Sequence, residues 1–290
     1  MSILFTISRQ NRDFFCKADG GASFFVGRKV PYEDNIGLFN IFGGSRLQKL
    51  NFDAADFAGD FGFWAAFVAP TAHCEGRSFL TLNTYDRAAF TFGFGQFAAH
   101  VPDGDFVRYL RDLLAMPEAA DYFPSLALVQ GRIAKVDGAG APVLLETADS
   151  TAKLMKYLNP TLDEVEDQEV IAAAKLIHWT VHHRAAQVAQ VKEMVRVFKS
   201  FMANADRRKL IDQRPAAQCC VIADILHHGR GGKLTWTLIG DALARPDPLR
   251  ALLQIGLPKW KERVTTLARA IDADTEMATR HWNTASDDFV

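Results

Sequence analysis

Cysteine is scarce in this 290-residue chain: Cys16, Cys74, Cys219 and Cys220 are all it has. Four scattered thiols exclude a small disulfide-framework fold and point to reduced side chains. The adjacent pair, Cys219 and Cys220, reads as two small apolar residues on a buried helix. Long hydrophobic runs are missing as well; none approaches the roughly 20 residues that a membrane-spanning helix needs. The opening MSILFTISRQNRDFF places apolar residues ahead of the arginines, the reverse of a secretory signal. The expectation is a soluble protein made in the cytoplasm without a signal peptide. An excess of one charge is also absent: 33 Lys and Arg stand against 34 Asp and Glu, a formal net charge of -1. That balance gives no reason to expect nucleic acid as a partner, and no overall attraction to an anionic polymer. There is no internal repeat and no low-complexity linker.

What is present suits a packed interior. Hydrophobic residues make up 49% and charged residues 23%, enough for one large domain or two modest ones. Residues 1–45 are rich in Phe and Gly and read as short extended pieces broken by turns. From Asn51, the spacing of Phe57, Phe61, Trp64 and Val68 predicts a buried helix, with Pro70 marking its end. Phe90, Phe92 and Phe94 then alternate with Thr91, Gly93 and Gly95, the period of a strand with one heavy and one small face. SFLTLNTY reads as its partner strand and YDRA as the turn between them. The small face would stand open to a ligand approaching the backbone. DGDFVRYLRDLLAM reads as a helix, a second hairpin is expected around DGAG, and a short helix spans Thr151 to Leu158. Residues 161–209 read as one or two long helices with an acidic start and a basic end. Three or so further helices follow, with HHGRGG as a glycine stop. The fold class is α+β, mostly helical, with a small antiparallel hairpin or sheet beside the helix that ends near Glu75.

Chemistry concentrates in HCEGRSFLTLNTYDRAAFTFGFGQ, residues 73–96. Glu75 leaves an uncharged, apolar helix and Asp86 sits at a hairpin tip. Two such carboxylates suit general acid/base work on a glycosidic bond: burial favours a protonated acid at the helix end, and hydration keeps the turn carboxylate ionised. The order Glu75, Asp86, Thr91 and FGFGQ resembles the lysozyme superfamily, which takes in phage-type lysozymes, lytic transglycosylases and chitosanase-like hydrolases. The first gap is slightly longer, and the second slightly shorter, than in phage-type lysozymes. The likeness covers roughly Asn51 to Pro102, and CVIADILHHGRGG is similar to the family's later cleft-flanking helix.

The resemblance implies a lysozyme-like catalytic domain over residues 51–290, with residues 1–50 packed on it. It implies a muramidase-type hydrolase of peptidoglycan in which Glu75 protonates the leaving oxygen while Asp86 and Thr91 hold the attacking water. Tyr85, Gly93, Gln96, Asp224 and His228 would contact substrate, with His227 as an alternative to His228. No metal or organic cofactor is needed. A chitosanase-like hydrolase and a single-acid lytic transglycosylase stay open as alternatives. Such an enzyme would reach the cell wall in the periplasm by a route other than general secretion. It would do so as a phage endolysin or as an injected antibacterial effector, with an immunity protein or secretion machinery as partner.

Blander readings stand beside these. Glu75 can be a helix end paired with Arg77, Asp86 a turn former, Thr91 a strand former and Gln96 a strand-end polar residue. His178 and His182 have the i, i+4 spacing of a metal pair but lack further ligands. GRGGK lacks P-loop spacing, GFGQFA lacks the third glycine of a dinucleotide site, and Cys74 has no His–Asp partner pattern. The rival from another class is a non-enzymatic helical protein that binds glycan or builds a larger structure.

Overall fold

The computed structural model describes residues 2–136, 140–257 and 259–290. Helix accounts for 45% and strand for 18% of the chain, and the sheets are antiparallel, so the fold is α+β. Packing divides the chain into two units: residues 1–51 with 78–193, and residues 52–77 with 194–290. The chain leaves the first unit after Asn51 and returns to it at Ser78.

In the first unit, the Phe- and Gly-rich start forms four strands. These are β1 (Phe5–Gln10), β2 (Asp13–Ala18), β3 (Phe24–Tyr32) and β4 (Asn35–Phe39). Residues with positive φ, Asn11 and the Asp19-Gly20 pair, make the first two turns. Three short strands extend the sheet to seven in simple chain order: β5 (Leu82–Asn83), β6 (Thr91–Phe92) and β7 (Phe97–Ala98). The sheet is larger than the hairpin the sequence suggests because Phe39 of β4 pairs with Asn83 of β5. The hairpin itself is as expected, with Leu82 opposite Phe92 and Asn83 opposite Thr91. The strand expected through Gly95 stops at Phe92, because Gly93, at φ +88°, turns the chain. Phe90, Phe92 and Phe94 are nevertheless all buried.

The helix Asp105–Leu114 buries Phe106, Leu110, Leu113 and Leu114, the stripe its spacing predicts. A second sheet joins β8 (Leu126–Val129), β9 (Arg132–Lys135) and β10 (Val143–Leu144), with β9 in the middle. β9 and β10 pair antiparallel, and residues 137–139 of the DGAG stretch, where a hairpin is expected, lie outside the described residues. The long helical stretch is two helices, Asp167–His182 and Arg184–Arg207, separated by the extended backbone of His183. The second of these passes from the first unit to the second after Glu193.

The second unit begins with a 3-10 turn, Ala54–Phe57, and a short helix, Ala58–Phe61. Gly62, at φ +56°, breaks the run before the helix Phe63–Cys74. Pro70 lies inside that helix and does not end it. A proline there removes one backbone donor, a loss set against burial of Trp64, Phe67 and Val68. Phe67 packs 4.6 Å from Phe289, a residue of the hairpin formed by β11 (Trp282–Asn283) and β12 (Asp288–Phe289). The helix Ala216–His228 buries Cys219 and Cys220 and ends on Gly229 at φ +72°, the left-handed cap that HHGRGG predicts.

Candidate functional site

Glu75 is the cap residue of the helix Phe63–Cys74, and its N–H donates to Thr71 O at 3.1 Å. Gly76 and Arg77 follow with positive φ, so the chain turns away at once. The Glu75 side chain keeps 13% of its surface exposed, and Oε1 accepts from Arg263 Nη1 at 2.6 Å. Arg263 thus fills the role that the sequence suggests for Arg77. His227 Nε2 lies 3.9 Å from the same oxygen.

Behind Glu75 stands Asp224, fully buried on the helix Ala216–His228. Its Oδ1 accepts from Arg263 Nη2 at 2.7 Å and from the Thr71 hydroxyl at 3.0 Å. Its Oδ2 accepts from Arg230 Nη1, and more loosely from Arg263 Nε at 3.3 Å. Burial works to raise the Asp224 pKa. The hydrogen bond and charge of Arg263, with the charge of Arg230, overcome it and hold the carboxyl below its ordinary value. Burial lowers the Arg230 pKa, whereas Asp224 and Glu75 outweigh the same effect at Arg263 and raise it. Arg263 therefore links one dry carboxylate to one that reaches solvent.

This geometry corrects the expectation that Asp224 meets substrate. Its side chain is wholly enclosed and both oxygens are engaged, so it acts through Arg263. His228, the last residue of the same helix, is half-buried, and its ring meets Trp260 edge-on at 4.4 Å. Its Nδ1 is buried with no hydrogen-bond partner among the described residues. Burial, then the Arg263 charge, pushes the imidazole pKa down. Cys74, next to Glu75, donates weakly to Arg263 O at 3.5 Å, and burial pushes its thiol up to about 12. A thiol so far from ionisation is no nucleophile.

The other candidates belong to the first unit. Asp86 is half-buried, and its Oδ1 accepts from Ala88 N at 2.9 Å, the side-chain turn bond favoured for Asp. Tyr85 packs its ring 5.0 Å from Tyr32 and 6.0 Å from Phe39, and burial raises its pKa. Thr91 is buried in β6, so holding the attacking water does not suit it. Gly93 shows no open small face. A Cβ built there would lie 2.4 Å from Gln190 Oε1, because the Gln190 side chain occupies that space. Gln190 is fully buried; it accepts from Phe94 N at 3.1 Å and donates to Phe79 O at 3.0 Å. Gln96 has φ +50° in the turn before β7 and donates its N–H to Gly93 O at 3.0 Å.

The structure thus gathers Glu75, Asp224, His227 and His228 in one unit and Tyr85, Asp86, Thr91, Gly93 and Gln96 in the other. Sequence reasoning missed Arg263, Arg230 and Gln190. Arg230 lies within the HHGRGG stop; nothing near Arg263 or Gln190 in the sequence singles them out. No group of three or more His, Cys, Asp or Glu that could hold a metal occurs among the described residues. No helix among them is long and apolar enough to cross a membrane. No protein-family model matches the chain, and no curated protein or solved structure matches it.

Proposed function

We propose that the protein is a lysozyme-type glycoside hydrolase that cuts the glycan strand of peptidoglycan, with Glu75 as the general acid. The observation that carries this reading is the mounting of Glu75. It is the solvent-reaching carboxylate of an ion network whose other carboxylate, Asp224, is wholly buried. Catalysis by proton transfer needs a donor fixed in position before substrate arrives. A helix end supplies one constraint, and Arg263, itself locked by Asp224, supplies the second. Protonating the glycosidic oxygen would let the bond to the sugar break with oxocarbenium character.

Asp86, the second carboxylate that the sequence offers, belongs to the other unit, where its Oδ1 is held in a turn bond. An endolysin or an injected antibacterial effector is the setting such an activity would suit, with an immunity protein as partner in the second case.

The test is release of soluble muropeptides from purified peptidoglycan by the wild type and by Glu75→Gln, read by mass. Release by the wild type, lost by at least a hundredfold in a Glu75→Gln variant that melts normally, is the expected result. Hydrated reducing ends then indicate hydrolysis, whereas anhydro sugars favour a transglycosylase. No release from peptidoglycan, and none from chitosan run alongside, overturns the reading. Glu75 is then a structural ion-pair partner, and the rival of a non-catalytic glycan-binding protein takes over.

A further inference from the structure

A cavity of about 670 Å³ opens in the first unit between the N-terminal strands and the helix Asp167–His182. It shares no residue with the candidate site, so its occupancy does not depend on the hydrolase reading. Its volume lies within the roughly 300–1,000 Å³ of small-molecule pockets. Aromatic rings form part of the walls. Phe15 and Phe25 meet at 5.5 Å between ring centroids, Phe24 lies 5.9 Å from the His178 ring, and His178 lies 4.1 Å from His182. Ile177 and Val181 add aliphatic surface from the helix.

The lining of this cavity carries charge of one sign. Arg46 is its permanent cation, and none of the residues lining it is acidic. The exposed guanidinium lies over the Phe15 ring, 5.6 Å from its centroid, and donates to Gln10 Oε1 at 3.1 Å. It makes no ion pair within 4 Å among the described residues, though it stands near enough to Asp13 to help Arg28 lower that carboxyl's pKa. His178 adds a donor rather than charge. His178 Nδ1 is engaged by the Tyr122 hydroxyl at 2.9 Å, and burial, with His182 and His183 nearby, lowers its pKa to about 4. When that hydroxyl donates to Nδ1, Nε2 of the neutral ring carries the proton and can donate to a bound acceptor.

We propose that this cavity binds a small aromatic carboxylate, its ring among Phe15, Phe24 and His178 and its carboxylate on Arg46. Flat rings suit walls of ring edges and faces better than a flexible chain does. A charge-assisted bond to guanidinium then sets the preference for an acid over its neutral analogue.

The experiment is calorimetric titration of the full chain with 2-naphthylacetate, and with its uncharged amide, 2-naphthylacetamide, for comparison. The expected result is saturable binding of the acid at one equivalent, about tenfold tighter than the amide, the effect of one charged hydrogen bond. Arg46→Gln should bring the acid down to the level of the amide, and Val181→Trp should abolish binding of both. If Val181→Trp does not melt like the wild type, Ala22→Trp, on the exposed turn between β2 and β3, takes its place. The proposal is overturned by absence of saturable binding in the wild type, by equal affinity for acid and amide, by a preference that survives in Arg46→Gln, or by binding that survives in a folded cavity-filling variant.

Discussion

Two buried carboxylates, one in each unit, meet their burial in opposite ways. Asp224 accepts from two guanidinium groups and a hydroxyl and stays charged, with its pKa below the ordinary value. Glu169, fully enclosed in the first turn of the helix Asp167–His182, has one short side-chain bond, to its Oε1 from the Thr84 hydroxyl. Its Oε2 has no partner among the described residues. Burial dominates and raises its pKa to about 7, with the Thr84 bond pulling the other way. The difference shows that enclosure alone does not set protonation; the number and charge of donors supplied to each oxygen decide it. It also separates a charge kept as part of a device from a carboxyl kept as a neutral hydrogen-bonding group.

The comparison breaks most visibly at Arg263. Arg263→Met keeps much of the volume but withdraws three donor contacts from Asp224 and Glu75. A buried ion left half-compensated costs about 3–5 kcal/mol, so the variant should melt many degrees lower and at a lower midpoint in urea. The double variant Arg263→Met with Asp224→Asn should recover part of that loss, since it removes the stranded charge as well. A single variant that melts like the wild type would mean that Arg230 alone suffices for Asp224.

A pH titration of stability addresses Glu169. Its folded pKa, about 7, is raised above the ordinary value of 4.5. The folded state therefore holds the proton more tightly between those values, and stability from this group is fully present below about 4.5. It is lost as pH rises through 7. The span of roughly 2.5 pH units corresponds to a loss of about 3 kcal/mol. Glu169→Gln, neutral at every pH, should flatten that decline in urea midpoints between pH 5 and 8. Asp224 has the opposite sign, contributing above its unfolded pKa and losing that contribution in acid. A wild type whose stability stays level up to pH 8 would show that Glu169 ionises at little cost.

Legibility in the sequence tracks the range of the interactions involved. Glu75 at a helix end, Asp86 in its turn, the glycine stop after His228 and the β5–β6 hairpin all depend on neighbours a few residues away, and spacing shows them. The grip of Arg263 on Glu75 spans 188 positions, and the Thr71–Asp224 bond spans 153. Such pairs are brought together by packing of whole helices, which leaves no periodic trace. Pro70 misleads for a related reason: local rules end a helix there, and a buried environment lets it continue. The four N-terminal strands are visible as extended pieces, but their joining to β5 is not, since sheet partners are chosen by tertiary pairing.

The small face of the hairpin is the sharpest case of a local pattern completed from afar, and it carries the smallest of the expected effects. Thr91, Gly93 and Gly95 look like an opening in the sequence. The Gln190 amide, 96 positions beyond Phe94, fills it at Gly93 and bonds the backbone on both sides. It satisfies buried polar groups with uncharged hydrogen bonds. Gly93→Ala places a methyl 2.4 Å from Gln190 Oε1, on a residue at φ +88°. Overpacking and the positive φ together should cost about 1–3 kcal/mol. Gln190→Ala in the same background removes the clash but strands the Phe94 N–H and Phe79 carbonyl, so it should not restore wild-type stability. If Gly93→Ala melts like the wild type, or if Gln190→Ala rescues it fully, the Gln190 side chain is a loose filler. The Gly93 face then regains its claim as a place where a ligand can approach the backbone.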